Sequence, residues 1–309
     1  HGHASFSSLM PHPAAAAVIT TSAAEAAADA PVRDIDQATE AIPPTAEIVI
    51  DPGSILAIPG GAKVGNCWHD IFEHIDFTHA DSNPDAINEI IEITLNRYRL
   101  LPKPPANASA ELRDLMTKRR AAVRTMVFNT LHTPLQPLGD APTFALKDIP
   151  IANRRSEMEF NFSLQDDNQH RLNGIGEILD KQWNSTARNE EFIARLLRSE
   201  AAIPRGFMTG FMDLVFHHNN RFYIVDWKSN RLDGKIESFG PAGLAAEMSR
   251  NAYYLQYLIY SVALHGFLAA RLKNYSFDDH YGGAFYLFVR GMDGKTDSGV
   301  FHDKPSREL

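Results

Sequence analysis

The sequence predicts an α/β fold, a mixed central sheet flanked by helices. Three observations carry that prediction. Apolar residues recur with helical spacing in several long stretches, as where Cys67, Trp68, Ile71, Phe72 and Ile75 share one stripe. Two runs rich in β-branched and aromatic residues flank Asn219-Asn220, a pair suited to a two-residue hairpin turn because Asn tolerates positive φ. The elements follow one another as helix, strand, hairpin, helix and strand with no internal repeat, which fits helices layered on a sheet. With 309 residues, 44% hydrophobic and 10% aromatic, the chain can bury a substantial core.

Taken in order, residues 12–48 are dominated by Ala, Pro, Thr and Ser and lack core-forming periodicity, so they read as a flexible linker. The ordered body is expected to begin near Ile55. Residues 1–54 are then a leading segment with its linker, and 55–309 one folded domain. Helices are expected over 62–78, 84–99 and 108–133, the last two separated by a Pro-rich stretch from Leu101 to Pro105. Residues 156–164 alternate, with Met158, Phe160, Phe162 and Leu164 on one face and Glu157, Glu159 and Asn161 on the other, as in a strand. A helix over 188–200, the hairpin over 207–228, a long helix within 241–273 and a strand over 283–290 complete the set.

The formal charge of −8 argues against holding nucleic acid by broad electrostatics, but an acidic metal site needs carboxylates and remains compatible with it. Lys118-Arg119-Arg120 with Arg124, and Arg154-Arg155, are local basic clusters that either meet phosphate or form solvated faces. The single cysteine, Cys67, permits no intrachain disulfide and fits a reducing cytoplasm. No run of about 18 apolar residues suggests a membrane span, and no signal peptide is read at the N-terminus.

The hairpin carries the chemistry. With the turn at Asn219-Asn220, 218 faces 221, 216 faces 223, and Asp213 faces Asp226. Like charges directly opposed across a ladder are destabilising unless something cationic lies between them. Lys228 lies two residues beyond Asp226 and projects from the same face. Two acids and a lysine on one face suit a hard divalent cation and an activated water, although Asp and Lys at strand ends are also common without function. His69, beside its apolar stripe, is either a rim histidine or a ligand. Gln256 and Tyr260 share a helix face, where they contact DNA, buttress the site, or pack in the core with Tyr253, Tyr254 and Tyr257.

These residues, in this order, resemble a known family. The runs Gly210–Phe216, Val225–Asn230, Leu255–His265 and Gly282–Gly291, with Pro59–His69 and Glu157–Phe160, are similar to the C-terminal nuclease domain of the RecB-type exodeoxyribonuclease V beta subunit. That domain belongs to the PD-(D/E)xK nuclease superfamily. Ala4–Leu9 resembles the segment that leads into this domain. The resemblance covers nearly the whole chain and is loose over roughly 103–150 and 165–200. It implies a restriction-endonuclease-like core over 55–309. Asp213 and Asp226 match the metal-binding acids, Lys228 the catalytic lysine, His69 a metal-binding histidine, and Trp227 the residue whose backbone carbonyl also ligates metal. Gln256 and Tyr260 match a Q-x-x-x-Y motif, and Glu159 a supporting acid. Trp227 stands where the family often has Tyr or an aliphatic residue.

The resemblance further implies a Mg²⁺-dependent exonuclease acting on linear single- or double-stranded DNA in the bacterial cytoplasm. Mn²⁺ would serve as a substitute, and Ca²⁺ as a non-productive ion. The expected partners are a helicase portion of the same polypeptide and RecC-like and RecD-like subunits, with no membrane. No G-x-x-x-x-G-K-[ST] loop is present here, so the chain reads as a nuclease domain apart from its motor. A nuclease-fold binding module without catalysis and a free-standing endonuclease are the alternatives. The presence of Asp213, Asp226 and Lys228 together speaks against the former, and the RecB-like flanks speak against the latter.

Overall fold

The computed structural model describes residues 3–4, 50–139, 141–164, 171–183, 189–201 and 206–307. The linker expected over 12–48 lies outside them. The helices are α1 (Ala62–His74), α2 (His79–Ser82), α3 (Pro84–Arg97), α4 (Ala110–His132), α5 (Leu172–Gln182), α6 (Glu190–Leu197), α7 (Pro241–Arg250), α8 (Tyr253–Arg271) and α9 (Phe277–His280). The strands are β1 (His3–Ala4), β2 (Arg154–Leu164), β3 (Gly206–His218), β4 (Arg221–Lys228), β5 (Tyr281–Phe288) and β6 (Val300–Asp303). They form one mixed sheet. β3 pairs with β2 antiparallel, and also with β1 parallel and β4 antiparallel; β5 then adds parallel to β4, and β6 antiparallel to β5. No helix among the described residues is long and apolar enough to cross a membrane.

Alternation along the strands divides the core in two. Phe216, Tyr223, Val225, Trp227, Phe285 and Leu287 pack against α1, α3 and α4 on one face. Val215, Ile224, Ala284, Tyr286 and Phe288 pack against α5, α6, α7 and α8 on the other. Helices on both faces explain why β5 is buried throughout, with no polar face to signal a period of two. Gly282 has the same origin: a Cβ there would fall 2.2 Å from the Tyr223 ring.

The hairpin register is the predicted one, His218↔Arg221 through Leu214↔Val225. Asn219 and Asn220 take φ of 47° and 61°, the left-handed pair a tight turn needs. The ladder ends before it reaches Asp213 and Asp226. Met212 belongs to one core and Leu214 to the other, so the strand's alternation slips at Asp213. Opposite it on β2, Ser156↔Leu214 and Met158↔Met212 pair on either side, while Glu157 drops out with φ 49°. A non-glycine residue there costs about 1–2 kcal/mol. The sheet is therefore dislocated at one point, and both residues at that point are acids.

One expected element ends early. The 62–78 helix stops at His74 because Asp76 Oδ1 accepts from the Thr78 backbone and hydroxyl, an Asx turn that diverts the chain. The long helix expected within 241–273 is α8, and Ala252, whose φ is 57°, separates it from the shorter α7. There the buried Glu247 carboxylate accepts from Asn251 and Asn230, which fixes the break.

Candidate active site

The dislocation gathers a cluster. His69 from α1, Glu157 from β2 and Asp213 from β3 each offer a ligand atom within 4.8 Å of the others. His69 Nδ1 lies 3.4 Å from Asp213 Oδ1, and its Nε2 3.0 Å from the carbonyl oxygen of Trp227. The Trp227 N–H donates to Asp213 Oδ2 at 2.8 Å. One peptide of β4 thus presents its carbonyl to the histidine, while the peptide before it presents its N–H to the aspartate. Phe72 fixes that strand from below, its ring stacked on Trp227 at 4.3 Å. At 3.0 Å the His69 Nε2–H donates to the Trp227 carbonyl, which orients the ring with Nδ1 towards Asp213. An imidazole, two carboxylates and a carbonyl are a donor set suited to a divalent cation.

Asp226 and Lys228 flank Trp227 on β4 and meet each other beside α8. Lys228 Nζ lies 2.7 Å from Asp226 Oδ1 and 3.3 Å from Gln256 Oε1, and both charged side chains are at most 4% exposed. Gln256 Oε1 also accepts from the Tyr286 hydroxyl at 2.9 Å, and Gln256 Nε2 donates to Tyr260 at 3.1 Å. Gln256 and Tyr260 are therefore interior buttresses of the lysine, buried rather than exposed to a ligand.

Burial alone would raise the Asp213 carboxyl. The nearby His69, the hydrogen bond from Trp227 and the charge of Lys228 outweigh it and hold Asp213 below the usual carboxylate value, ready to ligate. Burial, reinforced by Asp226, pushes the Tyr286 phenol well above its usual value, so it stays a donor to Gln256. Burial likewise pushes the Cys67 thiol up to about 12, which leaves it a packing residue.

Comparison with known proteins adds an independent observation. The profile of the PD-(D/E)XK nuclease superfamily matches residues 57–308. The chain belongs to the PD-(D/E)XK nuclease superfamily. It is also similar to RecBCD enzyme subunit RecB of Haemophilus influenzae, 30% identical over 86% of this chain and 19% of that one. The match to RecB of Escherichia coli is 28% over 81% of this chain and 19% of that protein, and that to RecB of Mycolicibacterium smegmatis 28% over 84% and 24%. The chain thus spans roughly a fifth of the length of these relatives. Nucleases of this superfamily depend on a divalent metal, and the cluster described above is a group of residues able to hold one.

In this nuclease the structure brings His69, Asp213 and the Trp227 carbonyl together, and sets Asp226 with Lys228, Gln256 and Tyr260. Glu159 lies exposed, paired in register with Phe211. The acid beside His69 is its neighbour Glu157. Alternation put both on one strand face; only the break in the ladder singles out Glu157. Arg290 was also not foreseen. It is 2% exposed and donates to the carbonyls of Ser229, Ile55, Ile58 and Pro59, with its guanidinium 4.4 Å over the Trp68 ring. It ties the approach to α1 to the residue after Lys228. An arginine within an otherwise apolar strand run was its only signal.

The basic clusters are largely struts. Arg120 and Arg124 both pair with Glu92, and Lys118 pairs with Asp114 at 2.7 Å. Arg154 lies 3.7 Å over the Phe77 ring.

Proposed function

We propose that this chain is a Mg²⁺-dependent DNA nuclease domain of a RecBCD-type helicase–nuclease, hydrolysing phosphodiester bonds as an exodeoxyribonuclease during double-strand break repair and recombination. The observation that carries the reading is the meeting of His69, Glu157 and Asp213 beside the Trp227 carbonyl, one strand position from a buried Asp226–Lys228 pair. A bound Mg²⁺ would neutralise a non-bridging phosphate oxygen and lower the pKa of a coordinated water.

His69, Asp213, Asp226 and the Trp227 carbonyl would hold the ion, with Glu157 joining them. The dislocated ladder keeps Asp213 and Glu157 aimed at one point before any ion arrives, so little reorganisation is needed. Asp226 would also serve as counter-ion to Lys228. Lys228 Nζ would bring positive charge to the phosphate as negative charge develops on it, and orient the attacking water. Gln256, with Tyr260 and Tyr286 behind it, would keep the lysine extended. DNA would be delivered by a motor in the same polypeptide and by RecC-like and RecD-like subunits in the cytoplasm, as the RecB likeness suggests.

The test is cleavage of linear single-stranded DNA with Mg²⁺, by the chain and by Asp213→Ala and Asp226→Ala. Metal-dependent cleavage lost in both variants is expected. Cleavage without divalent metal, or unchanged in Asp213→Ala, would remove the reading.

A further inference from the structure

We propose that Tyr253 is the positioning residue of the catalytic lysine, its ring a platform that holds Lys228 Nζ where cleavage needs it. The inference rests on the nuclease reading above. A lysine ends in a compact charge on a flexible stem, with no rigid fork to aim it. Here Asp226 lies 2.7 Å from the ammonium nitrogen and Gln256 Oε1 3.3 Å from it. The Tyr253 ring lies beneath, its centroid 3.8 Å from Nζ, and the Tyr286 ring stands farther off at 5.3 Å. A cation over an aromatic face at this distance, in a site with lysine 2% exposed, is strongly attracted.

The platform is itself anchored. The Tyr253 hydroxyl meets the Asn230 side chain, receiving from Nδ2 at 3.4 Å. Asn230 Nδ2 donates to Glu247 Oε1 at 2.9 Å, and Asn251 Nδ2 and Arg250 hold the same carboxylate. Asn230 comes two residues after Lys228, so ring and lysine are referenced to the same strand end. The break at Ala252 belongs to the same device. It starts α8 at Tyr253 and sets Tyr253, Gln256 and Tyr260 at i, i+3 and i+7, one helix face turned to the lysine. A left-handed alanine costs about 1–2 kcal/mol, and such cost persists where the surroundings demand the geometry.

Tyr253 also packs on Tyr286 and Phe288, with centroids 5.8 and 6.4 Å away. Packing alone would accept any apolar side chain of similar bulk. A platform requires the negative face of the ring. The experiment therefore varies the ring's charge at nearly constant volume. Tyr253→Phe, Tyr253→Leu and phenylalanines of increasing fluorination at position 253 are compared for kcat, KM for single-stranded DNA, Mg²⁺ dependence and thermal unfolding. Tyr253→Phe should restore most of the activity. Tyr253→Leu should lose about 10- to 30-fold in kcat, with KM and Mg²⁺ dependence unmoved. Each added fluorine should lower kcat further while the unfolding temperature stays level. A kcat indifferent to fluorination, or a loss confined to KM, overturns the proposal even if the leucine variant fails to fold. The nuclease reading fails separately, and this inference with it, if the unsubstituted chain does not cleave or Lys228→Ala cleaves as well.

Discussion

Replacing Arg290 with Ala should destabilise the domain and disable the site together. The guanidinium donates to Ser229 O at 2.7 Å, Ile55 O at 2.6 Å, Ile58 O at 2.7 Å and Pro59 O at 3.1 Å. Ile55 O would keep its bond from the Ile58 N–H, and Pro59 is exposed. The acceptors of Ile58 and Ser229 are buried, and each orphaned acceptor costs about 1–3 kcal/mol. Losing the stack on Trp68 adds about 1 kcal/mol. The total is about 3–7 kcal/mol, or roughly 10–20 °C in Tm for a domain of this size. Urea unfolding should show a lower midpoint at unchanged slope. Arg290→Lys should recover only part of the loss, since one ammonium cannot span four carbonyls. Because the clamp joins the neighbours of His69 and Lys228, cleavage well below the unfolding midpoint should also fall about tenfold. A loss under about 1 kcal/mol, or full stability in Arg290→Lys, would refute the reasoning.

Three further outcomes follow from the geometry. Glu157→Gln should raise the Mg²⁺ concentration needed for half-maximal cleavage about tenfold or more while Glu159→Gln leaves it unchanged, measured by metal titration of activity; equal effects would show that the broken ladder does not select Glu157. Lys228→Ala should abolish cleavage yet keep metal binding, read by calorimetry with Ca²⁺; cleavage at near-normal rate would remove the lysine from the chemistry. Burial lowers the His302 pKa from its ordinary value of 6.5 to about 4. The unfolded chain therefore takes up that proton first, and stability present above pH 6.5 is lost as the pH falls towards 4. The loss is about 2 kcal/mol at pH 5, and His302→Gln should flatten the slope of unfolding free energy over that window; an unchanged slope would count against it.

Sequence alone determined the elements with strong local signals. The Asn219-Asn220 turn fixed the hairpin register because tight turns leave little choice of pairing. The apolar stripe around Trp68 and Ile71 gave α1, and motif order gave the nuclease family, because chemistry requires those side chains in that sequence. Tertiary structure decided the rest. The pattern within 241–273 gave a long helix but not its start after Ala252, which depends on a buried glutamate binding two asparagines from separate segments. The short strand β6 carries too few residues of clear period to stand out, whereas α5 does carry helical spacing, in Leu172, Ile175, Gly176 and Leu179. Period-two alternation placed Glu157 and Glu159 together on one face, and it also set Asp213 opposite Asp226. The observed ladder stops one pair short of them, and there Asp213 and Glu157 meet His69 while Asp226 also meets Lys228. Local pattern specifies which faces are buried; where a ladder breaks is settled by what packs on both sides of it.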